Sequence, residues 1–389
     1  MNLFSSSPDS RPALPPSWRM TRGQPLTWLW QIALLLLAFY VFMVALQLMI
    51  GSFNLAGGSL ALTLVKAATN PFTSLFIGLL ATAVVQSSST STSLIVTFAA
   101  AGGLRVDQAA LMIMGANIGT ALTSTIVSLG HIGDRREFRQ AFSAASLHDL
   151  FNIITVLLLF GLEVSTGVFS AMAEGLAAYF GTAPLLKEAT WLFFTRDSAN
   201  FLLNLASGWP YLTLLLALLI LFLALNLLTF VLRSLIIGRV QQHVDRFLFG
   251  RPLRGLASGF FTTVALQSSS LTTSMIVPLV ATEKVALQKA FPFIMGANVG
   301  TTTTALLAAL VAGSNAALAA AFTHLLFNLC GVLLMYPIPR LRAIPVRLAE
   351  ALGELAFRNR LYGVAYVVIV FFMLPFLLIF LAEGLGWLR

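Results

Sequence analysis

The phrase Gln86-Ser87-Ser88-Ser89 returns 181 positions later as Gln267-Ser268-Ser269-Ser270, and each copy interrupts an otherwise apolar stretch. A second interruption follows each at the same offset: Gly115-Ala116-Asn117-Ile118-Gly119-Thr120 and Gly296-Ala297-Asn298-Val299-Gly300-Thr301. A third pair keeps the order after a five-residue contraction, His148-Asp149-Leu150-Phe151-Asn152 against His324-Leu325-Leu326-Phe327-Asn328. Three ordered matches mean that the chain folds as two copies of one unit.

The polar phrases matter because so little else is polar. Of 389 residues, 58% are hydrophobic and 10% charged, against about 25% charged in ordinary soluble proteins. This is the composition of an integral membrane protein, whose first partner is the lipid bilayer. The net charge of +9 could suggest nucleic acid, but the basic residues cluster in loops, as the positive-inside rule expects. The single cysteine, Cys330, cannot form an internal disulfide.

Residues 1–25 read as a disordered cytoplasmic tail and 26–70 as a first span, Leu26 to Ile50, followed by an external segment with a short interfacial helix around Ala61 to Ala68. Repeat 1 covers 71–162. Its segments Pro71–Val85 and Leu94–Ala101 are too short to cross about 30 Å of hydrocarbon, so together they predict a re-entrant helical hairpin with the serine phrase at its tip. Val106–Leu129 is a span that the Asn phrase is expected to break, and Phe142–Leu162 is another. Residues 163–254 supply an external loop with short helices around 171–179 and 185–194, a linking span Pro210–Ile237 and an Arg-rich cytoplasmic segment. Repeat 2 covers 255–337. Residues 338–389 add a basic amphipathic stretch, Arg340–Arg360, on the inner surface and a last span, Leu361–Leu381.

Charge placement relates the repeats. The loop after the first Asn-containing span carries Arg135, Arg136 and Arg139, while its counterpart, Gly313 to Ala316, carries no charge. The flanks show the opposite bias, with Arg251, Arg254, Arg340 and Arg342 around the second repeat. Equivalent loops therefore face opposite sides. The predicted fold is an all-α polytopic membrane protein of two inverted-topology repeats, each with a re-entrant helical hairpin and a broken transmembrane helix, with the amino terminus cytoplasmic and the carboxy terminus external.

Hydroxyls, a carboxamide and the free N–H groups of a helix start suit a small anion, so Gln86, Ser87, Ser88 and Ser89 with Gln267, Ser268, Ser269 and Ser270 are the expected substrate ligands. Neither tip contains Lys or Arg, so a multiply charged anion needs cations to accompany it. The oxygens of Asn117, Thr120, Asn298, Thr301 and Thr304 suit a hard monovalent ion, with Gly115, Gly119, Gly296 and Gly300 opening the helices around them. Sodium is favoured over protons because these phrases hold no carboxylate; Asp149 and Glu163 elsewhere in the spans keep proton coupling open. His148, Asn152, His324 and Asn328 are expected in structural or gating roles. A Ser-His-Asp hydrolase is disfavoured, since no Gly-x-Ser-x-Gly elbow is present and adjacent His148 and Asp149 point in different directions on a helix. A passive anion channel could use the same dipoles.

The run Gln86-Ser-Ser-Ser-Thr-Ser-Thr-Ser93, the phrase Met114 to Thr120, the loop Gly133-Asp-Arg-Arg-Glu-Phe-Arg139 and the start His148-Asp-Leu-Phe-Asn152 resemble the type II sodium/phosphate cotransporter family. Gln267–Ser270, Asn298–Thr304, His324–Asn328 and Tyr336-Pro-Ile-Pro339 are similar to its second half. The resemblance covers roughly Pro71 to the end. It implies sodium-driven uptake of inorganic phosphate, with no cofactor beyond sodium as co-substrate and no enzymatic activity; the inverted repeats lead to alternating access as the expected mechanism. The serine tips would hold phosphate and the second Asn-Val-Gly-Thr phrase a sodium site. Two departures stand out: a short cysteine-free segment replaces the large disulfide-bonded external loop of animal members, and Ala297 stands where those members often have Ser. The economy of the chain fits a bacterial inner-membrane protein, and a homodimer is compatible with it.

Overall fold

A computed structural model describes residues 25–56, 68, 70–181, 191–206, 208–240 and 251–384. The expected amino-terminal tail up to residue 24, the interfacial helix around 61–68 apart from Ala68, the first part of the helix expected at 185–194 and the basic segment 241–250 lie outside the described residues. Among the described residues all regular structure is helical, and seven helices are long and apolar enough to cross a membrane.

In chain order these are α1 (Pro25–Ala56), α2 (Pro71–Val85), α3 (Ser88–Ala100), α4 (Val106–Thr120), α5 (Leu122–Leu129), α6 (Arg135–Thr166), α7 (Val168–Gly181), α8 (Trp191–Leu205) and α9 (Pro210–Val240). The second half continues with α10 (Pro252–Leu266), α11 (Ser269–Ala281), α12 (Leu287–Ala312), α13 (Asn315–Met335) and α14 (Pro339–Arg358). The last span is α15 (Leu361–Val368) and α16 (Leu374–Gly384), joined through a π-helical segment, Ile369–Met373. Several expected limits shift, among them the return leg of the first hairpin, which starts at Ser88 rather than Leu94 because Ser87 caps it. Helix α1 runs past Gly51 to Ala56, its Ser52 hydroxyl donating to Leu48 O at 2.7 Å. Helix α6 starts at Arg135 rather than Phe142 because Asp134 caps it, accepting from the N–H groups of Glu137 and Arg136, which hold its carboxyl below the usual carboxylate range.

The two halves use the same local chemistry. Helices α2 and α10 both open with Pro in the first turn and have 15 residues; α3 and α11 both have 13. At about 1.5 Å per residue each leg is roughly 20 Å long, too short to span hydrocarbon of about 30 Å. Ser87 and Ser268 cap the return legs, accepting from Thr90 N and Leu271 N, both at 3.2 Å.

The expected helix break at the Asn phrases does not occur. Helix α4 runs through Gly115 and Gly119, with an interruption only afterwards, at Ala121, and α12 runs through Gly296 and Gly300 without one. These glycines serve close approach instead. A Cβ on Gly115 would lie 1.8 Å from Leu75 O, and one on Gly296 1.9 Å from Leu256 O, so the backbones of α2 and α10 occupy the space a side chain would need. Gly119 and Gly300 press likewise on Leu79 O and Phe260 O.

Side-chain contacts fix the directions of the elements. Gln47 Nε2 donates to Val311 O at 2.6 Å, and Phe53 packs over Gly103, so the end of α12 and the start of α4 lie together beside the last turns of α1. At the other end Arg139 pairs with Glu354 at 3.4 Å and Arg360 donates to Gly133 O at 2.9 Å, binding α14 to the start of α6. Helix α14 there shares a cleft with the start of α12. The α4–α5 rod and α12 therefore run in opposite directions. The halves also exchange partners: α14 packs on α6, and α7 packs on α13. An apolar pocket of about 350 Å³ opens between α1 and α9 on one side and α10 and α12 on the other, lined by Leu35, Phe39, Leu225 and Leu228 and by Val264 and Leu307.

Candidate functional site

The two serine tips meet. Ser88 Oγ lies 3.4 Å from Ser269 Oγ, and Ser89 Oγ donates to Gln267 O at 3.1 Å. Between the tips is a cavity of about 80 Å³, lined by Gln86, Ser87, Ser88 and Ser89 from one half and Gln267, Ser268 and Ser270 from the other. That is room for about three waters at the ~30 Å³ each occupies in the liquid. Among the described residues no charged side chain lines it.

Both tips are held in a conformation that costs free energy. Gln86 and Gln267 sit in the left-handed region, with φ of 54° and 51°. For a residue with a Cβ this costs about 1–3 kcal/mol, and the carboxamide is kept there in both halves although glycine would remove the strain. Gln267 Nε2 donates to Val264 O at 2.7 Å, while its Oε1 accepts from Thr304 Oγ1 at 2.9 Å. Thr304 thus belongs to the tip. Past each turn, the caps satisfy only one N–H, and the first N–H groups of α3 and α11 have no intrahelical acceptor.

The linking helix α9 also reaches the cavity, through Leu225, Asn226 and Thr229. The sequence reading missed these residues. Their signal is polarity inside an apolar span, but they lie outside both repeats and match no repeated phrase.

The Asn phrases and the His-containing helices form one cluster, crossed between halves. Asn298 Nδ2 donates to Asn152 Oδ1 at 2.6 Å, which turns its Oδ1 toward His148 Nε2, 2.7 Å away. That imidazole is therefore the Nε2–H tautomer. In mirror image, Asn117 Nδ2 donates to Ile113 O at 2.9 Å, and its Oδ1 accepts from His324 Nε2 at 3.4 Å and Asn328 Nδ2 at 3.3 Å. Asn152 Nδ2 closes the set by donating to Asn117 O at 2.7 Å. Asn117, His148, Asn152, Asn298, His324 and Asn328 are thereby brought together. Thr120 and Thr301 are not: each hydroxyl donates within its own helix, to Ala116 O at 2.8 Å and Ala297 O at 3.0 Å.

Several buried polar atoms have no hydrogen-bond partner among the described residues, and six of them form mirrored pairs. Thr82 and Thr263 Oγ1, Ser93 and Ser274 Oγ, and the Nδ1 atoms of His148 and His324 are all in this state. Native proteins rarely leave such groups unsatisfied, so a pattern repeated in both halves calls for a ligand or water as partner.

The two candidate proton carriers have different surroundings. Asp149 is fully buried and accepts from Thr125 Oγ1 at 3.2 Å; its counterpart in the second half is Leu325. Glu163 caps α7, accepting from Phe169 N at 2.8 Å, from Ser170 N at 3.3 Å and from the Ser170 hydroxyl. It is occupied by structural bonds. A Glu163→Gln variant is expected to melt at a lower temperature, by about 1–2 kcal/mol of lost charge-assisted bonding, while the pH profile of activity stays in place. A shifted profile would restore Glu163 as a proton carrier.

A family model described as Na+/Pi-cotransporter matches residues 41–185 and 220–344. The sodium-dependent phosphate transport protein 2A of Ovis aries is 33% identical to this chain over 439 residues, covering 92% of the chain and 68% of that protein. The protein of the same name from Rattus norvegicus is 33% identical, with 93% and 69% covered. The sodium-dependent phosphate transport protein 2B of Homo sapiens is 32% identical, with 95% and 68% covered. No solved structure matches.

Proposed function

The chain belongs to the Na+/Pi-cotransporter family, and from that premise we propose that its two serine tips hold phosphate while neutral oxygens beside them hold the sodium that enters with it. It is a multi-pass membrane protein that couples phosphate transport to sodium, with sodium as co-substrate and without enzymatic chemistry.

The observation that carries the site assignment is the meeting of Ser88 with Ser269 and of Ser89 with Gln267 around one uncharged cavity. Each helix amino end contributes roughly half a positive charge. Two of them offset about one of the two negative charges of hydrogen phosphate, and the remainder falls to sodium. Thr304, the two Asn phrases and the mirrored unpartnered hydroxyls supply neutral oxygen within the same core. With the asparagine side chains engaged in the crossed cluster, sodium binding at Asn117 or Asn298 exchanges a bond between the halves for a bond to the ion.

The mechanism we infer is alternating access by two inverted repeats. It is supported by the opposed directions of α4–α5 and α12, and by the exchanged packing of α14 on α6 and α7 on α13. The basic end near α14 would be cytoplasmic by the positive-inside rule, which puts the amino terminus inside and the carboxy terminus outside.

The test is uptake of labelled phosphate by proteoliposomes. Accumulation above equilibrium is expected with an inward sodium gradient and not with a potassium gradient of equal size. Uptake that only equilibrates under every gradient would identify a channel instead.

A further inference from the structure

A second cavity lies at the basic end of the bundle, apart from the serine tips. It has a volume of about 520 Å³ and opens between the starts of α10 and α12 and the length of α14. Four cations line it: Arg251, Lys289, Arg342 and Arg347. None of them makes an ion pair with a described acidic side chain. The one carboxylate in the lining, Glu350, accepts from Gln288 Nε2 at 2.8 Å. Between the charges, Phe291, Pro292 and Val346 give the cleft apolar walls.

The repeat fold does not require this charge. One repeat offset earlier, the positions of Arg251 and Lys289 are held by Asn70 and Gln108, and the adjacent Arg105 is paired with Asp107. Among the described residues the cleft's cations are thus not a product of the repeat itself. The helix that closes the cleft, α14, buries Val346, Ala349 and Ala356 and leaves Ile344 and Leu348 43% and 44% exposed, the pattern of a helix lying in a membrane interface.

We propose that this cleft binds the headgroup and glycerol region of an anionic phospholipid. Unpaired guanidinium and ammonium groups fit a phosphodiester, and the apolar walls fit the glycerol and first acyl carbons. A diffusible phosphate ion would use only the first. The cleft shares no lining residue with the cavity between the serine tips, so the lipid site stands independently of the transport assignment.

The experiment uses the purified full chain in a neutral detergent and sodium-free buffer, titrated with dioctanoyl phosphatidylglycerol and followed by thermal unfolding. Phosphatidylglycerol is expected to raise the midpoint saturably, and dioctanoyl phosphatidylcholine is not. Arg251→Gln with Arg342→Gln is expected to weaken binding about thirty-fold, at about five-fold per charge near a membrane surface. Lys289→Gln with Arg347→Gln, at exposed positions, provides a second pair should the first lower the lipid-free midpoint. Equal protection by phosphatidylcholine, unchanged binding in both pairs, or the same protection from inorganic phosphate would overturn the proposal.

Discussion

Gly296→Ala is expected to leave little folded protein. The new methyl carbon would sit 1.9 Å from Leu256 O, and the obstacle is backbone rather than a side chain that can swing away. Ordinary contact needs well over 3 Å, so α10 and α12 must separate by more than 1 Å along their whole seam. Dispersion contacts are then lost far from the mutated site. Overpacking of this kind costs about 1–3 kcal/mol where neighbours can adjust, and more where they cannot. Against a total stability of about 5–15 kcal/mol, that is a large fraction. Gly115→Ala meets Leu75 O at 1.8 Å and should behave alike. Gly175→Ala, in α7 with nothing within 4 Å, is the control and should gain up to about 1 kcal/mol of helix propensity. Size-exclusion profiles and melting temperatures decide the matter: equal behaviour of Gly296→Ala and Gly175→Ala would show that the close approach does not exist.

The second large effect concerns transport. Ser88→Ala and Ser269→Ala are each expected to raise the KM for phosphate about ten- to hundred-fold, the worth of one hydrogen bond to a charged group at about 1.5–3 kcal/mol. Folding should survive, because the hydroxyls' mutual contact is a weak one at 3.4 Å. The two variants should be similar in size, since the two hydroxyls are equivalent in the halves and meet each other between the tips. Ser165→Ala, whose hydroxyl is exposed and donates to Gly161 O at 2.8 Å, provides the control for expression and reconstitution. Labelled phosphate uptake at fixed sodium gives the constants, and unchanged values in both tip variants would remove the serines from the site.

Much of this was legible in the residues. Two helical legs too short for a bilayer, separated by a Ser-capped turn, have few other ways to fold, and duplication makes their convergence an expectation. The Asn phrases were harder. Glycine can mean conformational freedom or close approach, and nothing within Gly-Ala-Asn-Ile-Gly tells the two apart. The deciding neighbours, Leu75 and Leu256, belong to other helices, so the expected breaks at Gly115, Gly119, Gly296 and Gly300 gave way to tertiary packing. The crossed His148–Asn298 and His324–Asn117 bonds were equally out of reach, because residue order does not reveal that each half completes the other. Asn226 and Thr229 went unseen for the opposite reason: they have no second copy to draw attention to them.

Where a carbonyl of one helix nests into a glycine of the next, sliding by even one residue would drive that oxygen into a side chain. The pairs α2–α4 and α10–α12 are therefore stiff to shear. The apolar pocket between α1 and α9 on one side and α10 and α12 on the other is bordered mostly by leucines and ends at Gln267 and Thr304, so around it the contacts between these helices are looser than those of the carbonyl-in-glycine seams. If the proposed alternating access moves the halves along that softer border, a crosslink across it would block uptake while one inside either glycine seam would not.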